Sequence, residues 1–323
     1  MKHKNIMGLI LVFFLLILLS LVFVQSFSFY SIQIKSNFAN SIDSMDQRLF
    51  PLANNIDEFF LSTTKDLSFL SNLISLQKAI KEDSYIEVEK DLKNFIQDNF
   101  EYLDIEYYSS LEELEINVFS ESDLQTKNLD YYFKKSKLIS QNNLYFEIIQ
   151  GEETNYLLYV VPIYSALGDY SGMLLVKILP SFFEDIRQYQ RNEEITVLID
   201  EFGKYLVNPD TKKENLYFEK DFSGIYNKFY LNKESRKYEN GEYFFNYRFV
   251  YPYLGSFSLS EGSKEVGINP LEDSWVLVSV VKKEELTSTN KTLQNSLMLY
   301  LFLISFLVLF ALFGIYSLVW KNK

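Results

Sequence analysis

Three acidic pairs, Glu112-Glu113, Glu193-Glu194 and Glu284-Glu285, have the residue type and spacing for acid–base work or calcium ligation. Each lies in a charged, loop-like or helix-starting stretch, and a solvated face is the plainer reading. Other chemistry lacks its raw material. The chain has no cysteine, and its single histidine is His3. Thiol nucleophiles, disulfides, zinc–thiolate sites and Ser-His-Asp triads are therefore excluded, as is a phospho-accepting histidine beyond residue 3. Eleven glycines in the whole chain form no phosphate-cradling loop. Glu214–Glu219 (ENLYFE) is tag-like in composition but lacks the closing glutamine of a protease site, and reads as native sequence. No acid–base or metal constellation can be assembled, so neither enzyme activity nor a cofactor is expected.

The elements around these residues are more informative. Hydrophobic residues make up 48% of the 323, and aromatics 17%, with 24 Tyr and 29 Phe against 2 Trp. That much aromatic area can build sizeable cores. A net charge of −12 argues against a nucleic-acid partner. Ile6 to Val24 is an unbroken apolar run of about 19 residues preceded by Lys2 and Lys4. A second run, Leu297 to Trp320, is followed by Lys321 and Lys323. Both read as transmembrane helices, with both termini cytoplasmic and residues of roughly 25–296 outside. A cleaved signal peptide is the alternative for the first run, but its apolar core is long and no A-x-A-like site follows. For the second, the alternative is a buried core helix.

Between the runs, Phe38, Ile42, Met45, Leu49, Leu52, Ile56 and Phe59 are spaced alternately by four and three. This seam breaks at Thr63 and resumes at Leu67, Leu70 and Ile74. It fits either a stalk helix pairing with its copy or an amphipathic helix packed on its own domain. Pro51 should kink or interrupt it. Strands are expected at Tyr102–Tyr108, Glu115–Phe119, Leu144–Ile149, Tyr156–Ile163 and Gly172–Ile178, with a helix at Leu129–Leu138. Gly151–Asn155 and Ala166–Gly172 read as hairpin loops, and Ser181–Gln190 as a connecting helix. A second set of strands covers Ile195–Asp200, Lys204–Val207, Gly241–Tyr253 and Trp275–Val281. Asp200 and Gly203 sit at the first and fourth positions of a type I turn. A final helix can run into the second apolar run.

In this order the pieces resemble the double Cache (tandem PAS-like) periplasmic sensor of bacterial receptors, over nearly everything between the two runs. Val197–Asp210 (VLIDEFGKYLVNPD) is similar to that family's strand-turn-strand ending in a His/Asn-Pro pair. Tyr159–Ile178 is similar to its central strands, and Ser274–Leu286 to its closing strand and exit helix. Leu124–Glu147 looks like a segment found in Cache sensors of certain histidine kinases and diguanylate cyclases. There are two departures. Such receptors usually continue into a cytoplasmic output domain, whereas this chain ends three residues after the second run. The segment after Tyr145 is also shorter than in kinase-type relatives.

The resemblance implies an α+β chain: a long N-terminal stalk helix carrying two tandem PAS-like antiparallel-sheet modules, flanked by two transmembrane helices. The expected divisions begin with a cytoplasmic N-terminus (1–5), a first span (6–24) and a stalk (25–80). A membrane-distal module (81–190) and a membrane-proximal module (191–285) follow. An exit helix (286–296), a second span (297–320) and a tail (321–323) close the chain. The family usually holds its ligand in the distal module, between the sheet and the helix over it. Carried onto this sequence, the pocket draws on Lys127–Phe133, Tyr145–Glu147, Tyr159–Ile163 and Lys177. Lys127, Tyr131, Tyr132, Tyr145, Tyr159 and Lys177 are its candidate ligand-binding residues. In a chain with 24 tyrosines, ordinary packing is the plainer reading of any one of them.

Amino-acid-binding relatives resemble one another in an Arg-x-Trp-Tyr stretch and an Asp on the last strand. Here the stretch is Asn128–Phe133 (NLDYYF), and Lys177 takes the Asp position. An inward Lys177 favours an anionic ligand such as a carboxylate, while an outward one would snorkel over apolar neighbours. The expected role is a bacterial sensor in the cytoplasmic (inner) membrane, homodimeric, passing a small-molecule signal to a separate output protein. That partner would be a histidine kinase, a diguanylate cyclase or a chemoreceptor-type protein. The alternatives are a non-enzymatic membrane scaffold and an output-less remnant of a receptor.

Overall fold

The computed structural model describes residues 2–82, 84–118, 129–140, 143–151, 155–190, 194–232, 236–252, 274–286 and 288–321. These residues form two compact units. The larger comprises Gln47–Tyr238 and Phe245–Val280, and the smaller comprises Met1–Asp46, Glu239–Phe244 and Val281–Lys323.

Helix α1 spans Lys2–Ser71, with Pro51 inside it. The interruption expected at Pro51 does not occur. Pro51 lies on the exposed face, where the carbonyl deprived of its N–H partner can be hydrated. In the larger unit the seam packs on its own domain: Leu49, Leu52, Ile56, Leu67 and Leu70 are buried in its main core. The stalk expected over 25–80 ends at Ser71, and its last part is the separate helix α2 (Ile74–Glu82); helix α3 (Ile86–Asp98) follows and was not predicted from the sequence. Val88, Leu92 and Ile96 recur every four residues on α3 and are its buried stripe.

The first sheet contains β1 (Tyr102–Ser109), β2 (Leu114–Asn117), β3 (Tyr145–Gln150), β4 (Asn155–Tyr164) and β5 (Tyr170–Ile178). Its order is β2-β1-β5-β4-β3, and the pairs are antiparallel. Helix α4 is Leu129–Leu138, as predicted, and α5 (Ser181–Gln188) leads onward. The hairpin between β4 and β5 is shorter than predicted, because Tyr170 already pairs with Tyr164. Gly172 thus belongs to a strand, with φ 146°.

The second sheet contains β6 (Ile195–Ile199), β7 (Tyr205–Val207), β8 (Lys237–Glu239), β9 (Tyr243–Val250) and β10 (Trp275–Lys282). Its order, β7-β6-β10-β9-β8, repeats the connectivity of the first sheet one module later. The Asp200–Gly203 turn forms as predicted. Gly203 N–H donates to the Asp200 carbonyl at 3.1 Å, and Asp200 Oδ1 accepts from the N–H groups of Phe202 and Lys204. Helix α6 (Tyr226–Leu231) and β8 went unpredicted. The ENLYFE stretch is built into this module, since Glu214 pairs with Arg187 at 2.8 Å and Glu219 accepts from Tyr226 N–H.

One core runs through both sheets and α1. Phe60 meets Trp275 edge to face at 5.2 Å and stacks on Phe146 at 5.6 Å. Phe146 lies 6.2 Å from Trp275. Around these rings pack Phe59 and Phe182, at 5.1 Å from each other. With no cysteine to staple it, this burial carries the unit.

In the smaller unit, Met45, Phe244 and Val281 form a separate cluster, flanked by Phe38, Ile42 and Leu286. Short α7 (Lys283–Leu286) precedes α8 (Ser288–Lys321). Both apolar runs are helical throughout their described residues. Among the described residues no helix is long and apolar enough to cross a membrane. For residues 2–12, 15, 18, 288–294, 312, 315, 316 and 318–321 the backbone alone is described, which breaks each run into shorter stretches.

Candidate functional site

Period-two alternation divides the side chains of the first sheet between its two faces. Tyr107, Leu157, Tyr159, Leu174 and Val176 point into the main core with α1. Tyr108, Leu158, Val160, Met173 and Leu175 point to the other face, where Tyr132 and Phe133 of α4 cover them. Only the second face can make a pocket beneath α4.

Of the six candidates, Tyr131, Tyr132 and Tyr145 are brought together there. The Tyr131 and Tyr145 hydroxyls lie 3.4 Å apart. Tyr145 donates to Glu147 Oε2 at 3.0 Å, and Tyr132 donates to Glu147 Oε1. Burial, reinforced by hydrogen bonding in this cluster, pushes both Tyr132 and Tyr145 well above the ordinary tyrosine range. Both hydroxyls therefore stay protonated and donate. Lys135, one turn along α4, sits 5.6 Å from the Tyr131 ring and 5.2 Å from the Tyr145 ring.

Lys177 shares this face and is half-buried. Its ammonium lies over the Tyr156 ring at 4.2 Å. In register it stands between Asp104 of β1 and Leu158 of β4, and Leu158 in turn faces Glu147 of β3. One row across four strands therefore reads Asp104, Lys177, Leu158, Glu147. Glu106, two residues from Asp104, is buried and accepts from Tyr108 at 3.0 Å and Asn117 at 3.1 Å.

Two candidates fall elsewhere. Tyr159 lies on the opposite face, 5.1 Å from Phe146 in the main core, because its odd place in β4 turns it away from α4. Lys127 lies outside the described residues. Asp104, Glu106 and Tyr156 lay outside the expected pocket lining, and Glu147 was in that lining but not among the six candidates. The signal for two of them was legible: Asp104 and Glu106 alternate with Ile105 and Tyr107 in an otherwise apolar strand.

The acidic pairs behave unequally. Glu112 is exposed and 3.4 Å from Lys137. Glu193 lies outside the described residues. Glu194, expected on a solvated face, is buried. It pairs with Arg48 of α1 and accepts from Ser279 Oγ at 2.6 Å. Burial of so short a charged segment is possible because partners from α1 and β10 compensate it.

No family model matches the chain, and no curated protein matches it. Solved structures do. A domain of a sensory box/GGDEF family protein from Vibrio parahaemolyticus is 14% identical, with a TM-score of 0.57 over 78% of this chain and 99% of that one. The extracellular domain of the histidine kinase vpHK1S-Z8 is also 14% identical, with a TM-score of 0.57 over 81% and 98%. The ligand-binding domain of the Campylobacter jejuni chemoreceptor Tlp3, in complex with L-norvaline, is 16% identical, with a TM-score of 0.53 over 78% and 94%. The chain has the fold of these extracellular sensory domains.

Proposed function

We propose that this chain, built on the double Cache sensory fold, is a membrane-anchored sensor that binds a small molecule beneath α4. The observation that carries the reading is Glu147, which takes hydroxyl hydrogen bonds from Tyr132 and Tyr145 under a helix edge opened by the exposed Tyr131. A ligand with its own donors can exchange with those tyrosines. The face holds three carboxylates, Asp104, Glu106 and Glu147, against two ammonium groups, Lys177 resting on Tyr156 and Lys135 over the Tyr131 and Tyr145 rings. That balance favours a ligand bearing an ammonium or similar donor over the anionic one expected from Lys177. The L-norvaline of the Tlp3 domain carries an ammonium together with a carboxylate, so an amino acid is compatible with both signs of charge on this face.

In this reading the distal module (81–190) senses and the proximal module (191–285) relays. The two apolar runs cross the membrane as helices. Phe13, Phe14, Leu16 and Ile17 on α1, and Phe306, Leu307 and Phe310 on α8, are exposed and would face lipid. Flanking lysines place both termini in the cytoplasm. The sensor acts as a homodimer through surfaces other than the buried seam. It hands its state to a histidine kinase, diguanylate cyclase or chemoreceptor-type output protein.

The test is a thermal-shift screen of the full chain in detergent against primary amines, amino acids, carboxylates and purines. Ligand at about 100 times its dissociation constant adds roughly 2.7 kcal/mol of stability. A hit among amines that is lost in Glu147→Gln supports the site. A carboxylate hit lost in Lys177→Ala would reverse the assigned ligand charge. A flat screen at millimolar ligand would overturn the sensor reading in favour of a protein-binding scaffold.

A further inference from the structure

The β3 strand has two faces with different neighbours. Tyr145 and Glu147 point under α4, while Phe146 between them points into the core shared by both modules. There Phe146 stacks on Phe60 of α1 and lies 6.2 Å from Trp275. Trp275, 1% exposed, is the first residue of β10, the strand that runs in sequence into α7 and α8. Among the described residues β3 is also an edge strand, with its backbone ladder to β4 alone. One ladder fixes it, so its position depends on side-chain contacts more than that of a central strand.

We propose that β3 transmits the state of the α4 site to β10 through the Phe146–Trp275 contact. The inference rests on the ligand site proposed above and assigns the route by which that site is read. Glu147 ties β3 to α4 through the Tyr132 hydroxyl, and Tyr145, on β3 itself, reaches α4 only through the Tyr131 hydroxyl at 3.4 Å. When a ligand or a substitution takes Glu147 off Tyr132, β3 loses its stronger tether and shifts along its single ladder. Close-packed interiors pass such a shift on to the next ring instead of absorbing it. Phe60 belongs to the same ring group, so α1 and β10 respond together. Phe146 and Trp275 are positioning residues in this scheme and touch no ligand.

The test needs no ligand. In the full chain carrying Trp320→Phe, Trp275 is the single tryptophan and reports by its emission and by acrylamide quenching. Glu147→Ala, which leaves the Tyr132 hydroxyl without its acceptor on β3, is expected to shift the emission to the red and raise quenching. In a Phe146→Leu background the same substitution leaves both unchanged. Phe146→Met serves if the leucine variant fails to fold. Tyr170→Phe, which cuts the 2.6 Å bond from Tyr170 to Ser136 of α4 without touching β3, leaves Trp275 unaffected. Two results overturn the proposal: an unchanged Trp275 in Glu147→Ala, or a shift that persists without the Phe146 ring. A shift that survives Phe146→Leu but disappears in Asn155→Ala would move the route to the Asn155–Leu206 bond, 2.8 Å long. A flat ligand screen alongside a Phe146-dependent shift would sink the ligand reading and leave the mechanical coupling standing.

Discussion

The ammonium of Lys177 lies 4.2 Å from the centre of the Tyr156 ring on the neighbouring strand. It therefore has an aromatic face as a partner before any ligand arrives. Lys177→Met, which keeps the apolar stem, is expected to lower stability by about 0.5–1 kcal/mol. Tyr156→Leu should cost a similar charge-dependent amount, and Tyr156→Phe almost nothing of it. Urea midpoints of the single and double variants measure the coupling. A Lys177→Met variant as stable as wild type would mean that the contact contributes nothing.

Arg48 and Glu194 form a largely buried pair, with Ser279 as third member. Removing one partner leaves a charge in the core. Arg48→Met is expected to cost roughly 3 kcal/mol, near the lower end for breaking such a pair. Adding Glu194→Gln should recover much of that loss. Denaturation of the two single variants and the double variant closes the cycle, and additive losses would refute the pairing.

Two glycines with positive φ should respond differently to a methyl group. At Gly172, φ 146°, an added Cβ would lie 2.1 Å from the Tyr108 carbonyl oxygen. At Gly168, φ 88°, it would meet nothing within 4 Å. Gly168→Ala should cost about 1 kcal/mol, from backbone strain alone. Gly172→Ala should cost clearly more, because β1 must also move aside. Equal melting points for the two variants would contradict this placement of β5 against β1.

Burial raises the carboxyl of Asp57 above its usual range, partly offset by the N–H of Tyr251 that it accepts at 3.0 Å. The folded state therefore holds this proton more tightly than the unfolded state. The stabilising contribution is complete below the ordinary carboxylate value of about 3.9 and is lost as pH rises through the raised value. Asp57→Asn removes that dependence. The stability difference, wild type minus variant, should fall with rising pH across this window. Paired urea titrations on both sides of the window measure it, and a difference that rises with pH would give the wrong sign.

Much of the architecture was legible in the sequence because its strands are short, apolar and punctuated. The helix at Leu129–Leu138 and the Asp200–Gly203 turn fell where patterning put them. Helix α3 was missed although Val88, Leu92 and Ile96 carry its period, because strongly charged neighbours lower its mean hydropathy. Short β8 has too few residues to show a period at all. At the site, sequence grouped Tyr131, Tyr132 and Tyr145, which α4 and β3 bring together, but could not assign faces within β4. Tyr159 and Leu158 are equally apolar in context, and only the register decides which one sees α4. Asp104 and Lys177 are 73 positions apart in sequence, and their alignment across β1 and β5 follows from pairing alone.

The ring group of Phe60, Phe146 and Trp275 also limits how this protein can be re-engineered. A chimera joined between α5 and β6 would appear, from the tandem sheets, to exchange one interchangeable cassette for another. The junction would in fact pass through shared packing, leaving Phe146 and Trp275 each without its counterpart. Grafting the distal sheet onto a different receptor therefore calls for transplanting the Phe59–Phe60 stretch of α1 and the start of β10 with it.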